Sequence, residues 1–485
     1  MDTATLITFI VYLIGMLAIG IAAYKLTSNL SDYVLGGRRL GPGVAALSAG
    51  ASDMSSWLLL GLPGAVYASG GMNQIWLAVG LTIGAYLNWQ FVAKRLRSYT
   101  ERANDSITIP DFLENRFRDH KKILRLISAL VILLFFTFYT ASGMVGGAKL
   151  FEASFGLSYS QSLWIGAIVI ISYTFLGGFL AVSWTDFIQG ILMFLALIIV
   201  PIVAFTELGG YSETVRQVGE LDPMYLDAFS GMTAIGIISL LAWGLGYFGQ
   251  PHIITRFMAI KSVKDVPKAR FIGMTWMVFG LFGAIFTGFA GIAYFSGNSL
   301  PDGEQVFIQF ADVLFNPWVS GILLAAILAA IMSTIDSQLL VSSSAVAEDI
   351  YRAVFRKDAS EKELVWIGRA AVVVIALIAI LLAGNPDSSV LSLVSYAWAG
   401  FGAAFGPVII LALFWKRMTG RGALAGMIVG AVTVVVWSKI TGGLFDLYEI
   451  VPGFVFAWIA IMVFSLLDKE PSEEIKAEFD EAAKA

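Results

Sequence analysis

Thirteen apolar runs, each long enough to cross a bilayer, divide this chain of 485 residues. They lie at about 4–24, 40–66, 73–93, 126–148, 160–180, 184–206, 231–255, 271–296, 317–346, 367–384, 388–415, 422–441 and 450–467, and are numbered spans 1 to 13 below. Gly177-Gly178 and Asn385-Pro386-Asp387 each split one longer apolar run in two. The chain is 58% hydrophobic and 14% charged, against ~45–50% and ~25% in soluble domains. The expected fold class is therefore an all-α polytopic membrane protein with about 13 transmembrane helices.

Charge tests that count, because short cytoplasmic loops collect Lys and Arg. With the N-terminus outside and strict alternation, all of the 31 basic residues except Lys149, Arg216 and Lys439 fall on the inner side. One span more or fewer in the middle scrambles this asymmetry, so the C-terminus is expected inside. The first run lacks a basic leader and is long enough to span, so no cleavable signal is expected. Thr108-Ile109-Pro110-Asp111-Phe112-Leu113 reads as a short amphipathic piece lying on the membrane. The acidic segments 207–227 and 296–315 read as outer loops, and 469–485 as a charged solvated helix or frayed end. Cysteine is absent, which excludes disulfides and thiolate chemistry, and two histidines are too few for a histidine metal cluster. The net charge of −4 gives no reason to expect nucleic acid.

Span 2 contains Ser48-Ala49-Gly50-Ala51-Ser52-Asp53-Met54-Ser55-Ser56-Trp57. A carboxylate at mid-membrane costs at least ~2.5 kcal/mol, so Asp53 is expected to be functional. Ser and Gly around it hold a helix weakly. Opened backbone at that depth is tolerated only where it lines a cavity or is buried in protein. There freed carbonyls bind cations and a new helix N-terminus binds a carboxylate. A small-residue packing seam explains Gly50 and Ala51 but not Ser-Asp-x-Ser-Ser.

A second break is expected in span 7, where Trp243-Gly244-Leu245-Gly246-Tyr247-Phe248-Gly249-Gln250-Pro251 makes a poor helix interior. Interrupted helices at matching places in two halves point to a transporter's midplane site. The breaks are an odd number of spans apart, so the second unit enters the membrane from the opposite face. The expected organisation is a first span and link (1–39), one inverted repeat of five helices (40–206), an outer loop (207–230), a second repeat (231–415), two further helices (416–468) and a tail (469–485). In span 9, Ala330, Ser333, Thr334 and Ser337 share one helical face, which suits oxygen ligation of a hard monovalent cation. Asp336 beside them is either a ligand or a cap or pair at the helix's cytoplasmic end. Asp186 near the start of span 6 is either an N-cap or snorkelled residue, or a second cation position or part of the exit path. Arg38 is either a positive-inside anchor, a role open to Arg39 too, or an inner gate. Trp57, Tyr139, Trp243 and Tyr247 lie near the expected cavity, with Trp243 and Tyr247 best spaced to cover an apolar ring.

Leu35-Gly36-Gly37-Arg38 with Leu40-Gly41-Pro42, then Ser48–Trp57, Tyr173–Gly178 through Trp184-Thr185-Asp186, Trp243–Pro251 and Met332-Ser333-Thr334 together resemble the sodium:solute symporter family. Ser395–Pro407 and Tyr448–Phe454 support the likeness, which runs from span 1 to span 13 and is strongest toward the family's bacterial proline-transporting branch. The resemblance implies a LeuT-like core of five-plus-five inverted repeats with discontinuous first and sixth core helices. It implies a chain that is not an enzyme and that carries Na+ and L-proline, or another small amino or organic acid, across a plasma (inner) membrane. Carried onto this sequence, it puts sodium on the backbone carbonyls of Ala51, Met54 and Ala330 and the hydroxyls of Ser333 and Thr334. It makes Asp53 the coupling residue. It puts substrate against Ser52, Ser55, Ser56, Tyr139, Trp243, Tyr247 and Pro251, and it opens a second cation position near Asp186 and Ser337. No protein partner is expected. A channel would show a repeated pore loop, an enzyme a nucleophile–base–acid set, and a sensor a soluble signalling domain; none of the three is evident in the sequence.

Overall fold

The computed structural model describes residues 3–26, 29–69, 71–174 and 178–484, and within them the chain is helical apart from one isolated strand-like bridge. The Gly177 half of the Gly177-Gly178 division lies outside the described residues. Ten helices are long and apolar enough to cross a membrane, and the bent pair Ala234–Gly249 and Pro251–Ala259 makes an eleventh. The remaining two of the thirteen runs carry shorter apolar helices. Span 2 is divided between Pro42–Asp53 and Leu62–Ser69, and span 5 is Tyr159–Thr174.

Local chemistry sets these limits. Pro42 opens the inner half of span 2, where its missing N–H is no loss. Thr108, Thr233, Asn316, Ser360, Ser389 and Thr419 cap following helices through side-chain oxygens. Spans 9 and 11, Pro317–Ser344 and Val390–Phe414, are the most enclosed of the transmembrane helices. Span 3 crosses span 7 with glycine against glycine: a Cβ on Gly84 would strike the Gly244 carbonyl, and one on Gly80 the carbonyl of Leu241. The segment 242–249 can lie on its neighbour only because both chains lack side chains there.

Two amphipathic pieces lay one face on the protein. The helix Ile109–Phe117 buries Phe112 and Leu113 completely. The tail helix Glu473–Ala483 buries Phe479 and Ala482, with the Arg116 guanidinium 5.2 Å from the Phe479 ring and Arg118 bonded to Glu478 at 2.6 Å.

On the basic side, the link before span 2 meets the end of span 7. Leu40 N–H donates to Ala259 O at 3.1 Å and Lys261 N–H to Leu40 O at 2.8 Å. Arg38, in a left-handed turn with Gly36 and Gly37, reinforces the junction. It donates to Met258 O at 2.7 Å, Ser106 O at 2.8 Å and Asp105 at 2.9 Å. Burial lowers the guanidinium's proton affinity and Asp105 opposes that shift. Arg38 therefore ties the link before span 2 to the end of span 7 and to the segment that follows span 3.

Candidate functional site

The helix Pro42–Asp53 stops at Met54, whose φ/ψ of −81°/74° leaves the helical region. Met54 N–H still reaches Gly50 O at 2.8 Å, but Ser55 N–H turns to Asp53 O at 3.0 Å. Ala51 O thereby loses its helical donor. It accepts instead from Ser333 Oγ at 2.7 Å and Thr334 Oγ1 at 3.2 Å, across from span 9. Ser333 Oγ also lies 3.2 Å from Ala330 O. Four of the five expected cation ligands thus converge, and Met54, the fifth, is fully buried at the break. Oxygens that hold one another through hydroxyl protons hold a small cation when those hydroxyls turn.

Asp53 faces the second break. Its Oδ2 accepts from the Tyr247 hydroxyl at 2.5 Å, and its Oδ1 has no hydrogen-bond partner among the described residues. Its backbone oxygen, freed by the turn, takes the Trp57 indole N–H at 3.0 Å and the Tyr139 hydroxyl at 3.3 Å. In span 7 the chain tightens over Ala242–Gly249, turns at Gln250, and restarts as a helix at Pro251 with a 44° bend. Gln250 Nε2 donates to the carbonyls of Gly246 and Trp398, each at 3.1 Å.

Aromatic rings surround this meeting of breaks. Trp243 lies 6.2 Å from Trp57, 6.2 Å from Trp398 and 5.6 Å from Tyr448, while Tyr247 meets Trp398 edge-on at 5.0 Å. Tyr139 meets His252 edge-on at 5.7 Å, next to the buried Pro251. Ser55 and Ser56 are buried in the break. Ser55 Oγ accepts from Trp57 N–H at 3.3 Å, and Ser56 Oγ has no partner among the described residues. Ser52 points elsewhere. Its hydroxyl lies 2.8 Å from that of Ser337 and 3.2 Å from Asp186 Oδ2, which separates it from the aromatic group.

Asp186 is fully buried two turns inside the helix Phe179–Glu207, whose N-cap is Gly178. That depth rules out the capping and snorkelling roles. Its Oδ2 accepts from Ser48 at 2.7 Å and from Arg256 at 3.3 Å. Arg256 also donates to Ser337 at 2.5 Å, Ser48 at 3.1 Å and His252 O at 2.8 Å, and is itself fully buried. The sequence reading missed this arginine, because at the end of an apolar run it reads as a boundary charge. Asp336 sits mid-helix in span 9, fully buried, and accepts from the Thr174 hydroxyl of span 5. Its place inside the helix is not that of a terminal cap. Trp398 and Gln250, which lie in the quoted motifs but were given no role, and Asn88, which lies outside them and donates to Tyr247 O at 3.0 Å, are further neighbours.

Comparison with known proteins matches this arrangement. A model of the sodium:solute symporter family fits residues 33–430. The sodium/proline symporter of Salmonella typhimurium is 56% identical over 487 residues, covering 99% of this chain and 96% of that protein. The high-affinity proline transporter PutP of Bacillus subtilis is 57% identical over 469 residues, 96% and 98% of the two chains. Among solved structures, a Na+-coupled sialic acid symporter in its substrate-bound outward-open state superposes with a TM-score of 0.81 at 22% identity, over 97% of this chain and 99% of that one. The transporter MhsT in complex with L-phenylalanine superposes with a TM-score of 0.55 at 16% identity, over 87% and 97%. These likenesses show the fold as LeuT-like, a core of five-plus-five inverted repeats with interrupted first and sixth core helices. With those breaks, that fold and those relatives, the chain belongs to the sodium:solute symporter family.

Proposed function

We propose that this chain is a secondary active transporter that couples the inward movement of sodium to uptake of L-proline by alternating access. The observation that carries the reading is the bond of Ser333 and Thr334 to the freed carbonyl of Ala51, which joins span 9 to the break in span 2. Sodium held there by Ala51, Met54, Ala330, Ser333 and Thr334 fixes the opened backbone. Asp53 transmits that order to span 7 through Tyr247. Proline then presents its carboxylate to the helix start that follows the break, at Ser56 and Trp57, and its ring to Tyr139, Trp243, Tyr247 and Pro251. Preorganising a site raises affinity, and linkage requires proline to raise sodium affinity by the same factor.

In this reading residues 40–206 and 231–415 are the two repeats. The basic face is cytoplasmic, the N-terminus is outside, and the membrane is the plasma membrane. The membrane potential supplies ~2.3 kcal/mol per sodium ion per 100 mV. Release inward requires the junction of Arg38, Leu40 and Lys261 to part. Equilibrium binding of radiolabelled proline to the purified protein, with sodium or choline as the cation, tests the site. Binding that needs sodium and is displaced by unlabelled proline supports it. Sodium-dependent binding of a different small amino or organic acid, with none of proline, overturns the substrate.

A further inference from the structure

At the inner ends of spans 7 and 9 lies a small cavity that meets the site above only at Pro251. Pro251 and Thr255 form one wall, Val341 and Ser344 another, and Thr108 to Pro110 close it on the basic side. Asp349 also lines it, although the residue is only 1% exposed. Its Oδ1 is held by the Thr108 hydroxyl at 2.9 Å and Arg125 Nε at 2.8 Å. Its Oδ2 has no hydrogen-bond partner among the described residues. A buried carboxylate oxygen left without a donor is costly and calls for a ligand the polypeptide does not supply.

The charge around this oxygen indicates the ligand's sign. Arg125 faces Asp111 at 3.2 Å, Glu114 at 3.0 Å, Glu348 at 3.0 Å and Asp349 at 2.8 Å. Arg352 adds a contact to Glu348 at 3.4 Å, so carboxylates still outnumber guanidiniums. The surplus attracts a cation. Arg125 engages all four carboxylates, and among their oxygens the one buried without a hydrogen-bond partner among the described residues is Asp349 Oδ2, which leaves it and the hydroxyls of Thr255 and Ser344 for a ligand. Both hydroxyls donate to their own helix, to Pro251 O and Leu340 O, and keep lone pairs for a ligand. One carboxylate oxygen with two hydroxyls suits a monovalent ion; divalent sites gather several carboxylates.

Position supplies the route. Asp349 lies on the same continuous helix as Thr334, about 20 Å further toward the basic side. Over Ala345–Phe355 that helix relaxes into wider turns, a form concentrated at functional sites. Asp111 and Glu114 ride on the helix Ile109–Phe117, whose leading residues are the cavity's cover.

We propose that this cavity is an exit site for a monovalent cation, in which sodium leaving Ser333 and Thr334 is received by Asp349, Thr255 and Ser344 under the cover of Thr108 to Pro110. The proposal rests on the sodium-symport reading. It predicts an asymmetry: the site serves sodium at the cytoplasmic face and not at the outer face. The test is proline flux in oriented proteoliposomes, with sodium varied at one face at a time. Asp349→Asn is expected to raise the half-saturating sodium concentration at the cytoplasmic face about ten-fold and leave the outer-face value unchanged. Asp349→Glu is expected to behave as the wild type. Thr255→Val, nearly isosteric and safe for folding, is expected to give a smaller rise at the cytoplasmic face alone, and it carries the test if Asp349→Asn does not reach the membrane. Unchanged cytoplasmic dependence in these variants, or equal shifts at both faces, overturns the exit site. Wild-type flux indifferent to sodium at either face overturns the symport reading beneath it.

Discussion

Asp53 joins the two breaks through one side chain, so its substitution separates charge from shape. Asparagine keeps the size and can still accept from the Tyr247 hydroxyl. Asp53→Asn is expected to leave folded protein in the membrane and to abolish sodium-stimulated proline binding; normal stimulation contradicts the coupling role. Ser333→Ala and Thr334→Ala each remove one hydroxyl from Ala51 O. Each is expected to raise the sodium concentration for half-maximal uptake about ten-fold, measured at fixed proline. Unchanged sodium dependence in both moves the ion elsewhere. These residues were legible in the sequence because helical spacing alone puts Ala330, Ser333, Thr334 and Ser337 on one face. Arg256 was not. Nothing in its neighbourhood in sequence distinguishes a buried partner of Asp186 from a charge at the membrane boundary, and only the folded chain brings Ser48, Asp186 and Ser337 around it.

The two interrupted helices were legible because Ser, Gly and Pro cluster where apolar runs should be strongest. What each break leans on was not. Span 3 supports the second break by presenting Gly84 to the Gly244 backbone, and backbone cannot yield as a side chain does. Gly84→Ala is expected to cost about 1–3 kcal/mol through overpacking and to lower the thermal unfolding midpoint of the detergent-solubilised protein. A midpoint equal to the wild type's refutes the contact. What the amphipathic pieces rest on was not legible for a related reason. An apolar face looks the same in sequence whether it meets lipid or protein, so nothing in Thr108–Leu113 or 469–485 told that Phe112 and Leu113, or Phe479 and Ala482, are buried against the protein. The inner junction makes its own prediction. The chain has no cysteine, so Thr255→Cys introduces a single thiol beside the inner cavity. Adding Arg38→Ala, which removes the bonds to Met258 O and Ser106 O, is expected to speed labelling of that thiol by a cytoplasmic maleimide several-fold. Equal labelling rates refute a closing role for Arg38.

For the whole molecule, the sequence pattern located every apolar run on which a helix or helix pair lies, but length and apolarity single out only ten, or eleven with the bent pair. The difference has a physical origin. A helix opened for binding is divided into pieces too short to qualify, and span 2 is so divided where Ser52, Asp53, Ser55 and Ser56 cluster. In the proposed mechanism the same opening couples the two solutes, because sodium at the span 2–span 9 seam would order the backbone on which the substrate sits. The most direct measurement is uptake of radiolabelled proline into proteoliposomes with and without an inward sodium gradient. Accumulation above the external concentration with the gradient, and none without it, is the predicted result. Equilibration that is indifferent to sodium would contradict the account.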